Sequence, residues 1–183
     1  MKLYLDPGHG GHDPGASRNG LVEKEVALDI ALTIRSLLIQ EFEDVEVKMS
    51  RSDDRTVSLT QRTTEANNWG ADFFLSIHLN AFNRSAQGYE DYIHDSLDND
   101  SQTARYQNTL HREITKVNNL TNRGQKQANF HVLRETRMSA LLTENGFIDN
   151  SNDANLIKQD AWRLEVARGC VNGLASAFQL RSK

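Results

Sequence analysis

The chain of 183 residues has a single cysteine, only two prolines, no large excess of either charge and no long apolar run. Each shortage excludes something. One cysteine cannot form an internal disulfide, and Cys170 alone cannot build a thiolate zinc or iron–sulfur site. Any bound metal must therefore rest on histidine, aspartate and glutamate. Lys and Arg number 21 against 25 Asp and Glu, a net charge of −4. A slightly acidic chain lacks the cationic surface that non-specific nucleic-acid binding needs. No stretch approaches the roughly 20 apolar residues of a membrane span. The start, Met1 to Asp6, has no signal-peptide core and no small-residue cleavage site.

What is present is unevenly placed. Pro7 and Pro14 are the only prolines, and five of the eleven glycines (Gly8, Gly10, Gly11, Gly15 and Gly20) lie in the first twenty residues. Glycine lets a backbone turn sharply and approach a ligand closely, and proline stiffens such a loop. Hydrophobic residues make up 38% of the chain, ordinary for a folded protein. The length suits one domain that buries about two-thirds of its unfolded surface.

Apolar periodicity alternates along the chain. Leu3-Tyr4-Leu5 before Asp6-Pro7-Gly8 reads as a buried strand followed by a turn. Val26, Ala27, Ile30, Ala31, Ile34, Leu37 and Leu38 recur at helical spacing over residues 23–40. Val45, Val47 and Met49 alternate as in a strand. A second helix spans Leu59 to Trp69, with Ser58 as its N-cap. Phe73 to Ile77 is a strand buried on both faces. Further strands are expected at 88–94, 130–133 and 140–143. Helices are expected at 101–118, 151–158 and from Leu164 to Phe178, with Cys170 in the core and 118–129 as a loop. The pattern predicts a single α/β domain over 1–183, with a twisted, mainly parallel sheet and helices on both faces.

In such sheets ligands bind beyond the carboxyl ends of the strands. His9 follows the first strand, His78 follows Phe73–Ile77, and Glu144 follows Ala140–Thr143. Glu23 opens the first helix beside the same edge. Two imidazoles and a carboxylate suit one zinc ion with a position left for water, and a second carboxylate can move protons. No His-Glu-x-x-His helix is present. Gly8-His9-Gly10-Gly11 as a phosphate cradle lacks the Lys-Ser/Thr of a P-loop, and no G-x-S-x-G elbow supports a serine hydrolase.

These residues sit in a recognisable frame. Asp6-Pro7-Gly8-His9-Gly10-Gly11 with Asp13-Pro14-Gly15-Ala16 resembles the opening of zinc-dependent N-acetylmuramoyl-L-alanine amidases, the bacterial cell-wall hydrolases. Leu21-Val22-Glu23-Lys24, Ser76-Ile77-His78-Leu79-Asn80-Ala81 and Leu142-Thr143-Glu144-Asn145-Gly146-Phe147 match in order, as do Arg62, Arg123-Gly124 and Val132-Leu133-Arg134. The resemblance covers essentially the whole chain and is closest to amidases of spore-forming Gram-positive bacteria and their phages. It implies His9, Glu23 and His78 as ligands of one zinc ion and Glu144 as the catalytic carboxylate. It implies cleavage of the amide between the lactyl group of N-acetylmuramic acid and the first L-alanine of the stem peptide. Ser139 departs from the family's usual proline before the last strand, with only a local effect expected.

Other residues receive smaller assignments. Asn80 is expected to hydrogen-bond substrate. His131 is expected either to orient substrate or to serve structure alone. His12 reads as a solvated loop residue, Arg62 as a buried salt bridge or cap, and His94 and His111 as histidines without chemical neighbours. A zinc peptidase, a deacetylase or a non-catalytic wall-binding relative remain alternative functions. The expected partner is peptidoglycan, with no nucleic acid and no membrane span, and the expected state is a monomer. The start of the chain leads to one of two expectations: the protein stays in the cytoplasm until lysis, or a targeting module outside this chain brings it to the wall.

Overall fold

The computed structural model describes residues Met1–Lys183. In chain order the elements are β1 (Lys2–Pro7), β2 (Ser17–Arg18), β3 (Leu21–Val22), α1 (Glu23–Glu41), β4 (Glu46–Met49), α2 (Leu59–Trp69), β5 (Phe73–Asn80), β6 (Tyr89–Ile93), α3 (Gln102–Thr115), β7 (Asn122–Gln127), α4 (His131–Arg134), β8 (Ser139–Phe147), α5 (Ser151–Ile157) and α6 (Asp160–Phe178). Six strands form one sheet in the order β4-β1-β5-β8-β6-β7. The first four run parallel, and β6 lies antiparallel to β8 while β7 runs parallel to β6. The fold is the expected α/β domain with a mostly parallel sheet and helices on both faces. No helix is long and apolar enough to cross a membrane.

Side chains that alternate along the central strands feed two unequal layers. On one face, Leu3, Leu5, Phe73, Leu75, Ile77 and Leu141 join residues of α1, α3 and α6 in a cluster of 28 buried residues. Cys170 belongs to it, as expected of a residue on the apolar side of the last helix. On the other face, Tyr4, Phe74, Ala140 and Leu142 meet Ala66 of α2 and Val132 and Leu133 of α4 in a cluster of eight. Ser58 caps α2 as expected, and Gln61 completes a capping box by accepting from the Ser58 amide.

The structure departs from the sequence pattern at four places. Residues 122–127 form a strand, although Asn122-Arg123-Gly124-Gln125-Lys126-Gln127 contains no apolar residue. It is the last strand of the sheet, where pairing with β6 satisfies the backbone and the side chains need not enter a core. Residues 131–134 form a helical turn rather than a strand, because Val132 and Leu133 both bury against the smaller layer. The strand expected at 140–143 extends to Phe147. Ser17–Val22 is a small hairpin whose Asn19-Gly20 turn has φ of 54° and 76°, the geometry that such a dipeptide favours. At the start of β8, the Ser139 hydroxyl lies 2.8 Å from that of Thr103 in α3.

His94 and His111 do have chemical neighbours, contrary to expectation. His94 Nδ1 lies 2.7 Å from the Ser96 hydroxyl. Asp91 is fully buried and accepts from the Tyr89 hydroxyl at 2.8 Å and the Gln107 amide at 3.0 Å, with His111 Nδ1 at 2.8 Å. Burial opposes the imidazolium of His111, but the Asp91 carboxylate outweighs it and raises the pKa above its ordinary value of 6.5. The folded state then binds more protons than the unfolded chain over that range. The contribution to stability is full below about pH 6.5 and is lost as pH rises through the raised pKa. Urea unfolding is expected to show stability falling above neutral pH, with a shallower fall in His111→Gln. Equal slopes in the two proteins refute the assignment.

Candidate metal centre and active site

The site forms where β1 ends. Gly8 follows the strand, and a Cβ there would lie 2.3 Å from the His78 ring. Gly15 has φ of 65°, and a Cβ there would lie 2.6 Å from both Glu23 Oε2 and His9 Cδ2. The glycines concentrated near the N-terminus thus clear room for side chains that meet each other. Two buried guanidinium groups hold the loop from below. Arg51 donates to the carbonyls of Pro7 (3.1 Å), Gly8 (2.7 Å) and Lys24 (2.7 Å). Arg62 pairs with Asp6 Oδ1 at 2.6 Å and donates to the carbonyls of Pro7 (2.8 Å), His9 (2.6 Å) and Val57 (3.0 Å). Arg62 is therefore the expected buried salt bridge.

Three side chains converge above this support. His9 Nε2 lies 3.1 Å and His78 Nδ1 lies 3.0 Å from Glu23 Oε1. One candidate ligand atom from each of the three lies within 4.8 Å of the others. Glu23 is buried, its Oε2 accepts from the Ala16 amide at 2.9 Å, and its Oε1 also accepts from the Leu79 amide at 3.0 Å. Burial works against the charge on Glu23, but the imidazoles of His78 and His9 outweigh it and hold the carboxyl well below its usual range. Asp13 Oδ2 meets His9 Nδ1 at 2.8 Å. An N–H at Nδ1 donating to this carboxylate leaves the Nε2 lone pair facing the cluster, the arrangement common behind metal-ligating histidines. A tetrahedral ion with bonds of about 2.0–2.1 Å to nitrogen and oxygen spaces its ligands about 3.3 Å apart. The observed 3.0 and 3.1 Å separations and the donor chemistry fit such an ion.

Glu144 stands beside this cluster, as the strand register dictates. His78 in β5 is directly opposite Glu144 in β8, which is directly opposite Glu90 in β6. Glu144 Oε2 is sealed from solvent without a hydrogen-bond partner. Burial first, then the negative charges of Glu23 and Glu90, push its carboxyl well above the usual range. All six residues singled out in the sequence, His9, Glu23, His78, Asn80, His131 and Glu144, line one cavity of about 400 Å³. The Asn80 amide donates to Glu90 Oε1 at 3.0 Å, and His131 Nε2 is buried without a partner. His12 is exposed, as expected.

The profile of the N-acetylmuramoyl-L-alanine amidase family matches residues 3–176. The chain belongs to this amidase family. It is 54% identical over 180 residues to the N-acetylmuramoyl-L-alanine amidase CwlM of Bacillus licheniformis, covering 98% of this chain and 70% of that protein. It is 51% identical over 181 residues to the sporulation-specific N-acetylmuramoyl-L-alanine amidase of Bacillus subtilis strain 168, covering 99% and 69%. Among solved structures, the catalytic domain of CwlV, an amidase from Bacillus (Paenibacillus) polymyxa var. colistinus, superposes with a TM-score of 0.92 at 32% identity, covering 98% of this chain and 99% of that one. The resemblance read from the motifs is thus confirmed at the level of family.

Three contributors to this amidase's site carry no role in the sequence pattern: Arg51, Asp13 and Glu90. Arg51 is buried entirely, and no pattern marks an arginine that serves only carbonyl oxygens. Asp13 was visible within the loop motif, but nothing in the spacing showed that it would meet His9. Glu90-Asp91 between Tyr89 and Tyr92 did carry a signal, since two acids inside a strand that should be buried need partners.

Proposed function

We propose that residues 1–183 form the catalytic domain of a zinc-dependent N-acetylmuramoyl-L-alanine amidase. It hydrolyses the amide between the lactyl group of N-acetylmuramic acid and L-alanine in peptidoglycan. The observation that carries this reading is the convergence of His9, Glu23 and His78 beside Glu144, an acid with an unpartnered oxygen in the same cavity. His9, Glu23 and His78 would hold one zinc ion. Such an ion supplies a Lewis acid for the scissile carbonyl and lowers the pKa of a water toward about 7.

The chain's own residues do the rest. Glu144 takes the proton of the attacking water through its carboxylate and then returns it to the departing alanine nitrogen. Burial and the neighbouring carboxylates raise its pKa, which favours holding the proton between the two transfers. Asp13 fixes the His9 ring, and Arg51 and Arg62 fix the backbone that carries it. Asn80 and His131, on the same cavity wall, contact the substrate. A single chain supplies every one of these groups, which supports action as a monomer.

His78→Ala is expected to lose both metal and activity. Metal content by elemental analysis checks the first loss. Release of free L-alanine amino termini from purified walls, without new reducing ends, checks the second and separates an amidase from a glycosidase. An active His78→Ala protein, or wild-type digestion that yields other termini, overturns the proposal.

A further inference from the structure

The row of residues across the sheet does not stop at Glu90. Glu90 is buried, and its Oε1 accepts from the Tyr92 hydroxyl at 2.8 Å and the Asn80 amide at 3.0 Å. Its Oε2 receives two cations from β7, Arg123 Nε at 2.6 Å and Lys126 Nζ. One carboxylate thus faces two positive charges, and the cluster carries a surplus of +1. The Arg123 and Lys126 side chains remain about one-third exposed, at 33% and 35%, whereas that of Glu90 is 4% exposed. The Arg123 guanidinium lies 5.0 Å from the centre of the Phe147 ring, and Lys126 Nζ lies 5.9 Å from that of Tyr92. Both cations are therefore held at one place with hydrogen-bonding capacity left over.

We infer that Arg123 and Lys126 bind a carboxylate of the stem peptide beyond its first alanine, and so select among substrates of this amidase. The inference rests on the proposed function. The distances agree with it. From His78 the row crosses three strand spacings of about 4.8 Å to β7, roughly 14 Å between backbones. Long arginine and lysine side chains span several ångströms of that interval. An extended peptide advances about 3.4 Å per residue, so an acidic residue just past the scissile bond falls within their reach. The walls of the cavity differ in kind. Leu59, Phe130 and Val132 give an apolar side, and Asn80 leads instead to Glu90 and its cations. A leaving peptide that carries a negative charge belongs on the second side. A guanidinium beside an ammonium recognises a carboxylate through charge-assisted hydrogen bonds. The corresponding carboxamide offers an acceptor without the charge.

The test uses two soluble substrates with the γ-carboxyl capped, N-acetylmuramoyl-L-alanyl-D-glutamate γ-methylamide and N-acetylmuramoyl-L-alanyl-D-isoglutamine γ-methylamide, which differ only in a free α-carboxylate against an α-carboxamide. The wild-type chain is expected to show a kcat/KM on the order of tenfold higher for the free carboxylate, mostly through KM. Arg123→Gln and Lys126→Met are made together with Glu90→Gln, so that no buried carboxylate loses its partners. In that protein the ratio is expected to fall to about one. Arg123→Lys alone retains the charge and is expected to keep most of the ratio. Because the ratio compares two substrates on one preparation, partial misfolding cancels. A wild-type ratio near one, or an unchanged ratio in the triple variant, overturns the inference and leaves the amidase reading intact. Failure of wild-type protein to cleave either substrate overturns both.

Discussion

Glutamine at position 144 is expected to remove nearly all hydrolysis while leaving the fold and the metal in place. The change exchanges one oxygen for an amide nitrogen and preserves shape. It abolishes the capacity to take a proton from water and pass it to the alanine nitrogen. General acid–base catalysis of this kind contributes about 10²–10⁴-fold, so a kcat loss on the order of 10³-fold is expected. The structure also sets the expected stability. Glu144 Oε2 is buried without a partner, and its charge is disfavoured by burial and by Glu23 and Glu90. Removing that charge relieves an unfavourable burial, so the thermal midpoint should hold or rise. Parallel measurement of wall digestion, metal content and Tm checks all three parts. Normal digestion by Glu144→Gln sinks the acid–base assignment. Loss of the metal with the activity would instead make Glu144 a ligand.

Arg62→Met is expected to cost about 3–5 kcal/mol of stability, the range for breaking one side of a buried ion pair. Asp6 is only 1% exposed, and without Arg62 its remaining side-chain partner is the Ser76 hydroxyl at 2.8 Å. The His9 carbonyl loses its guanidinium donor, and the Pro7 carbonyl keeps only that of Arg51. A lysine cannot replace the planar fork that reaches Asp6 and these carbonyls together, so Arg62→Lys should recover little. Asp6→Asn added to Arg62→Met should restore part of the loss by removing the stranded charge. Urea unfolding checks the magnitude. A loss below about 1 kcal/mol would show that the pair contributes no more than a surface salt bridge.

The legible part of this molecule was what periodicity and strand ends reveal. The buried strand at Phe73–Ile77, the stripe of α1 and the Ser58 cap all follow from local pattern, and the fold follows from their alternation. His9, His78 and Glu144 were readable because each closes an apolar run, and such ends share one edge in a parallel sheet. The division of labour between Glu23 and Glu144 was not readable from spacing. It depends on which carboxylate folds back under the two imidazoles, and the family resemblance supplied that expectation. Strand β7 escaped because an edge strand needs partners for its backbone and no apolar side chains. The Glu90 cluster escaped for a related reason. Its members come from β5, β6 and β7, and only the antiparallel placement of β6 beside β8 brings Glu90 opposite Glu144.

The inequality of the two apolar layers has a consequence for motion. The cavity opens on the side covered by α2 and the single turn of α4, which rest on a cluster of eight residues, whereas α1, α3 and α6 share in one of 28. Local opening is easiest where the least apolar surface must be exposed. Amide hydrogens of α2 and α4 therefore exchange with solvent ahead of those in α1 and α6. The thin side can breathe around a bulky, cross-linked polymer while the thick side keeps the strand ends, and the groups they carry, in register.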